Sequence, residues 1–232
     1  MSCQNNQRPP LSPVITIDGP SGSGKGAICK ALATNLGWRY LDSGSLYRLL
    51  AHAALAANTK LDDESALVSL AGRLCQGYEL PPVDSSAVML DGVDVNSELR
   101  TEAAGNAASI IAALPDVRAA LLDWQRHYRQ LPGLVADGRD MGTVVFPDAD
   151  LKLFLTARPE VRAERRYKQL INMGKEADLA ELVEAVEARD RRDSTRVTAP
   201  LKPAADAVTL DSSDTAEAET LAQVLELVHE KL

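Results

Sequence analysis

Residues 14–25 read VITIDGPSGSGK, and this stretch decides the fold. VITID is a short apolar run rich in β-branched side chains, which suits a strand buried on both faces of a parallel sheet. It stops at Gly19, where Gly19, Pro20, Ser21, Gly22, Ser23, Gly24 and Lys25 fit G-x-x-x-x-G-K. A helical pattern takes over from residue 25 to residue 36. Strand, glycine-rich loop and helix in that order make a phosphate-binding loop. Glycines let the backbone wrap a phosphate chain because no Cβ blocks the approach. The helix N-terminus adds unpaired N–H groups and the positive end of its dipole, and Lys25 can reach the β- and γ-phosphates.

Working outward, Tyr40 and Leu41 read as a second short strand, and Asp42 and Ser43 supply cap residues for an apolar helix through Ala57. A third helix is expected from residue 62 or 63 to 74. Residues 87–95 (AVMLDGVDV) then place Asp91-Gly92 between apolar positions, a hairpin signal. Helices are expected at 99–113 and 116–129, with Pro115 at the break. Strands follow at 134–137 (LVAD) and 151–155 (LKLFL), then Arg-rich helices at 159–173 and 179–195, a strand at 207–210 and a helix at 216–231. Strands alternating with helices predict the α/β class: a mainly parallel sheet covered on both faces, interrupted by a small antiparallel insertion.

Composition narrows the possibilities. With 232 residues, 45% hydrophobic and 25% charged, the chain has the makeup of a globular protein. No apolar stretch approaches the roughly 20 residues that span a bilayer, so no membrane role is expected. Residues 1–13 are polar and proline-rich, without the apolar centre of a secretion signal, and are expected to be a disordered tail. Cys3, Cys29 and Cys75 form no CxxC pair, which suggests neither a disulfide framework nor a zinc site and points to the cytoplasm. A net charge of −8 argues against general nucleic-acid binding. Yet 17 of the 25 basic residues are Arg, the better fork for phosphate oxygens. Composition leaves open whether this is habit or chemistry.

Four stretches carry a more specific signal: 18–26 (DGPSGSGKG), 41–48 (LDSGSLYR), 134–145 (LVADGRDMGTVV) and 189–200 (RDRRDSTRVTAP). Together with NAAS at 106–109 and the Asp-Gly hairpin, they resemble the motifs of the bacterial cytidylate kinases from about residue 14 to 212. The resemblance implies a P-loop NTPase core made of 14–74, 131–156 and 200–232, a monophosphate-binding insertion at 75–130, and a helical lid at 157–199. It also implies transfer of the γ-phosphoryl of ATP to CMP or dCMP with Mg²⁺ bound to the ATP, UMP being a poorer acceptor. A monomer is expected. A guanylate or shikimate kinase is the near competitor, but those families lack the DGRDMG and RDxxDxxR stretches together. A non-catalytic NTP switch is the distant one.

Residue by residue, the resemblance places Ser43, Arg48 and Arg196 at the acceptor's phosphate, and Ser109, Arg118 and Asp140 on the cytosine edge. Arg189 and Asp193 fall to the ribose and Arg139 to the phosphoryl in transfer. Cytosine offers an amino donor and ring acceptors, so a carboxylate accepting while Arg and Ser donate is chemically sensible. Read from spacing alone, Arg189, Asp193 and Arg196 simply share one helical face. Asp137 can hold a Mg²⁺-bound water or cap its strand. Arg158, Arg162, Arg165 and Arg166 share a helical stripe, either a solvated face or groups that close onto the γ-phosphate; Arg162 and Arg166 are the catalytic candidates. One departure stands out. After Lys25 come Gly26 and Ala27, where the resembling family carries Lys-Gly-Thr, so neither position supplies a hydroxyl for the metal. The absence of a Ser–His or Cys–His arrangement does not count against a kinase, because phosphoryl transfer needs positioning and charge neutralisation.

Overall fold

The computed structural model describes residues 12–78, 83 and 87–232. Residues 1–11 of the expected tail lie outside them. β1 (Val14–Asp18) is buried along its whole length because it stands in the middle of a five-stranded sheet. Its neighbours are β5 (Leu134–Gly138) and β6 (Leu151–Thr156), with β2 (Arg39–Asp42) beyond β5 and β7 (Val208–Asp211) beyond β6. Each pairing in this sheet is parallel. Parallel order demands crossover helices on both faces, and alternate strand residues feed two separate cores. Ile15, Ile17 and Val135 pack with Ile28 and Leu32 of α1 (Lys25–Leu36) and with Val224 and Val228 of α9 (Glu217–Lys231). Val14, Leu134, Ala136 and Leu41 face the other way. There they meet α2 (Ser43–Ala56), α3 (Glu64–Gly77), α5 (Glu102–Ile111) and α6 (Pro115–His127).

The insertion begins with the expected hairpin, β3 (Met89–Leu90) and β4 (Val93–Asp94). Asp91 and Gly92 both have positive φ, 49° and 82°, the pair of angles a two-residue turn of this hand requires. The helix expected at 99–113 is two helices, α4 (Asn96–Leu99) and α5. Thr101 is extended (φ −75°, ψ 157°), and its hydroxyl accepts from the Ala104 N–H, capping α5 and breaking the run. α6 begins with Pro115 at its first position, as the break required. The Arg-rich pair α7 (Pro159–Asn172) and α8 (Leu179–Thr195) has its own small core of Ala163, Leu170 and Leu182.

One element was not anticipated. After β5 the chain makes a π-helical turn, Met141–Val145. Val145 N–H reaches back to Asp140 O at 3.2 Å and Phe146 N–H to Met141 O at 2.7 Å. Such turns are frequent at functional sites, and this one follows directly on Arg139 and Asp140.

The sheet's register lines up three carboxylates at its C-terminal edge. Asp42 of β2 stands beside Asp137 of β5, which stands beside Ile17, while Asp18 stands beside Gly138. This is the edge where ligands bind in open parallel sheets.

A stability prediction follows from the approach to β5. A Cβ added at Gly133 would lie 2.3 Å from Trp38 Cδ2 and within 2.6 Å of two further indole atoms. Gly133→Ala should therefore destabilise by about 1–3 kcal/mol, the ordinary cost of overpacking, read as a lower urea midpoint with an unchanged slope.

Candidate active site

The donor loop takes its shape from two glycines. A Cβ at Gly19 would sit 2.0 Å from the Leu155 carbonyl oxygen, so β6 leaves no space for one. Gly24 caps α1 with φ 91°, in the left-handed region. The loop curls back so that the Lys25 ammonium donates to the Pro20 carbonyl at 3.1 Å and lies 3.8 Å from the Asp137 carboxylate. Burial, reinforced by the nearby Arg139 charge and only partly offset by Asp137, depresses the Lys25 ammonium to about 8.

Asp137 is held from its other side. The Tyr40 hydroxyl donates to Asp137 Oδ2 at 3.3 Å. Burial raises the Asp137 carboxyl to about 6, against the pull of Lys25. A Cβ at Gly26 would lie 3.3 Å from Asp137 Oδ2 and 3.7 Å from the Tyr40 oxygen. The missing side chain at 26 thus keeps the space before Asp137 open. Ala27 is exposed at the first turn of α1. Tyr40 was not expected to be more than a strand residue; its place beside Asp42 at a strand end was the available signal.

A second group of charges lies across the sheet edge. Arg118 is buried and donates to the Asp140 carboxylate and to the Ala112 carbonyl, at 3.2 Å for the latter. Its guanidinium stands 5.8 Å from the centre of the Tyr47 ring. Arg196 approaches Asp140 from the other side at 3.9 Å, and its Nη2 is buried with no hydrogen-bond partner. Burial raises the Asp140 carboxyl, and the guanidinium groups of Arg118 and Arg196 oppose the rise. Asp193 accepts from the Ser109 hydroxyl at 3.1 Å and from Arg139 Nε at 3.0 Å. Burial would raise its carboxyl, but Arg139 and Arg189 outweigh that and hold it below the ordinary range.

Arg189 joins the two groups. Its Nη1 donates to Ser21 Oγ of the donor loop at 3.2 Å, and its Nε is buried without a partner. Burial and the charge of Arg139 depress it to about 10. Ser43 is buried and donates to Gln125 Oε1 of α6 at 2.7 Å, a partner the sequence did not suggest. Arg48 is half-buried and makes no hydrogen bond or ion pair to a described residue.

The four arginines of α7 diverge rather than act as one stripe. Arg158 forks onto Asp214 at the surface, at 2.7 and 2.9 Å. Arg162 is buried, pairs with Asp190 of α8 and donates to the Ser21 carbonyl at 3.1 Å. Arg165 donates to the Ser23 carbonyl at 3.3 Å and to Ser212. Arg166 pairs with Glu102 at the start of α5 and donates to the Arg100 carbonyl. Arg162 and Arg165 therefore brace the donor loop, while Arg166 ties α7 to the insertion.

Comparison with known proteins gives the family. The family model described as "Cytidylate kinase" matches residues 15–230. A relative named cytidylate kinase from Aeromonas salmonicida (strain A449) is 53% identical over 226 residues, 97% of each chain. One from Methylococcus capsulatus (strain Bath) is 54% identical over 217 residues, 93% of this chain and 96% of its own. One from Pseudomonas entomophila (strain L48) is 52% identical over 222 residues, 95% of this chain and 96% of its own.

Lys25 yields a pH prediction. Its ammonium must be charged to meet phosphate, so kcat/KM for the nucleoside triphosphate should fall as pH rises through about 8 in the free protein. The kcat limb should sit higher, because bound phosphate favours the charged form. In folding the unfolded chain holds this proton more tightly, at 10.5, so the burial cost fades between about pH 8 and 10.5. Lys25→Ala should remove the limb and lower turnover on the order of 10²-fold or more. Retention of the limb in that variant would assign it to another group.

Proposed function

The chain belongs to the cytidylate kinase family, and from that premise we propose that it transfers the γ-phosphoryl group of ATP to CMP or dCMP, giving ADP and CDP or dCDP. The observation that carries the reading is the crowd of buried cations with open hydrogen-bonding capacity. Burial together with the Arg139 and Arg189 charges depresses the Lys25 ammonium, burial together with Arg139 depresses Arg189, and Arg189 Nε and Arg196 Nη2 have no hydrogen-bond partner. Such an arrangement is stable when phosphate oxygens lie among the cations.

The roles follow from position. The loop 19–25 and the N-terminus of α1 receive the ATP phosphates, with Lys25 reaching the β- and γ-groups. Arg139, just past the end of β5, neutralises the group in transfer, and Arg189 with Asp193 holds the ribose. The acceptor nucleophile is a CMP phosphate oxygen. Its second ionisation has a pKa of about 6, so at neutral pH it needs no general base. It attacks the γ-phosphorus as the bond to the β,γ-bridging oxygen breaks, and ADP leaves with that electron pair. Arg48, Ser43 and Arg196 hold the CMP phosphate. On the base, Asp140 accepts from the cytosine amino group while Arg118 and Ser109 donate.

The Asp137 carboxylate and the Tyr40 hydroxyl, with open space in front of Gly26, suit a hard divalent ion that keeps most of its waters. Asp137 would hold Mg²⁺ through one such water, and the ion would screen the β- and γ-oxygens. Among the described residues no helix is long and apolar enough to cross a membrane, and Cys29 and Cys75 are free thiols. We place the enzyme in the cytoplasm as a monomer.

The test is an acceptor panel. With ATP and Mg²⁺, ADP release should be fastest with CMP and dCMP, slower with UMP, and slowest with GMP and AMP. Uracil sets a carbonyl against Asp140, and a buried polar group left unpaired costs ~1–3 kcal/mol, roughly ten- to a hundredfold in kcat/KM. Asp140→Asn should shrink the CMP/UMP ratio, mainly through loss of CMP. Arg139→Ala should depress both acceptors alike. An unchanged ratio in Asp140→Asn would remove Asp140 from the base site, and a preference for GMP or AMP would overturn the substrate.

A further inference from the structure

Asp18 ends β1 immediately before the donor loop, and its carboxylate is almost completely buried, 3% exposed. It makes no contact with the cations. Oδ1 accepts from the Met141 N–H and Oδ2 from the Gly142 N–H, each at 2.8 Å. Those are the first two N–H groups of the π-helical turn, which no carbonyl within a helix can satisfy. Asp140 occupies the cap position before that turn, at φ −150° and ψ 24°, but its side chain makes no capping bond. An aspartate at a helix N-cap ordinarily turns its carboxylate onto these N–H groups. Here Asp140 is turned instead toward Arg118 and Arg196. The turn is also pressed close to β1: a Cβ at Gly142 would lie 2.9 Å from Thr16 Oγ1.

We infer that Asp18 is a positioning residue for base selection: by capping the Met141–Val145 turn from the neighbouring strand, it leaves the Asp140 carboxylate free to face Arg118 and the base. Asp18 and Gly138 are paired in the sheet, so the same contact registers the base-reading turn against the donor loop one residue away. Without Asp18, the freed N–H groups would draw the carboxylate of Asp140, which already occupies the cap position of the turn. It would then swing onto its own turn and away from the base. The inference rests on the reading of Asp140 as the base-contacting carboxylate.

The experiment is a double-mutant cycle read on the CMP/UMP ratio of kcat/KM, using Asp18→Asn, Asp140→Asn and the two together. Asp18→Asn keeps the shape but sets an amide donor against a backbone N–H. It should lower the ratio on the order of tenfold, through KM for CMP more than through kcat, with little change in KM for ATP. The double variant should resemble Asp140→Asn alone, because both act through one carboxylate. A fall in unfolding midpoint and in all rates with the ratio unchanged would overturn the inference and leave Asp18 a structural cap. So would strictly additive effects. If Asp140→Asn itself leaves the ratio unchanged, the reading of Asp140 fails and takes the inference with it, an outcome distinct from the failure of Asp18→Asn alone. Amide exchange in the wild-type protein without nucleotide gives a check that needs no variant. Met141 and Gly142 should exchange slowly, and rapid exchange there would overturn the clamp.

Discussion

Cations packed together without an anion among them repel one another, and the molecule is arranged around that repulsion. Beyond the effect of burial, the Arg139 and Arg189 charges lower the proton affinity of Lys25, and Arg139 lowers that of Arg189. They remain in place because carboxylates are distributed among them at short range: Asp137 near Lys25, and Asp193 against Arg139. Asp140 does the same between Arg118 and Arg196. These pairs balance the charge only in part. Burial holds the Asp137 and Asp140 carboxyls above their ordinary range even with cations beside them, so the surroundings are poor in water. Electrostatic contacts inside such a site are stronger than in solvent. Dry, preorganised positive charge is what phosphoryl transfer requires, and such transfer needs no nucleophilic side chain.

The sheet brings these groups together. β1 is central, and its last residues are in register with the ends of β5 and β6. The donor loop leaves from β1, the Asp137–Asp140 stretch from β5, and the α2 N-terminus with Ser43 from β2. Three loops from neighbouring strands thus open at one edge, and the distances among them are set by backbone hydrogen bonds rather than by flexible side chains. α8 completes the site from outside the sheet by supplying Arg189 and Asp193.

The sequence made this core readable because a parallel sheet imposes strong local patterns. VITID, LVAD and LKLFL are apolar runs bounded by turn residues, and β1 and α1 have the expected limits. Asp42 at the cap of α2 and Asp91-Gly92 in the hairpin also announced themselves by residue type. The π-helical turn did not, since MGTVV has no periodicity that marks such a turn, and it depends on a carboxylate 123 residues away in the chain from Met141. The α7 arginines illustrate the same limit. Spacing placed them on one stripe, but their destinations depend on Asp190, Glu102, Ser212 and Asp214, contacts that no local pattern encodes.

Gly26 fits the Lys-Gly-Thr of the resembling family, and Ala27 departs from it. Neither position offers a hydroxyl, yet a hydroxyl does stand beside Asp137, that of Tyr40 from β2. It lies 3.7 Å from where a Cβ at position 26 would be, so a side chain there would compete with it for space. Burial and the charges of Asp137 and Asp42 push the Tyr40 phenol far above its ordinary value. A phenol that stays protonated keeps its proton available to donate to Asp137. Tyr40 therefore fixes one oxygen of Asp137 in a single orientation while the other faces Lys25.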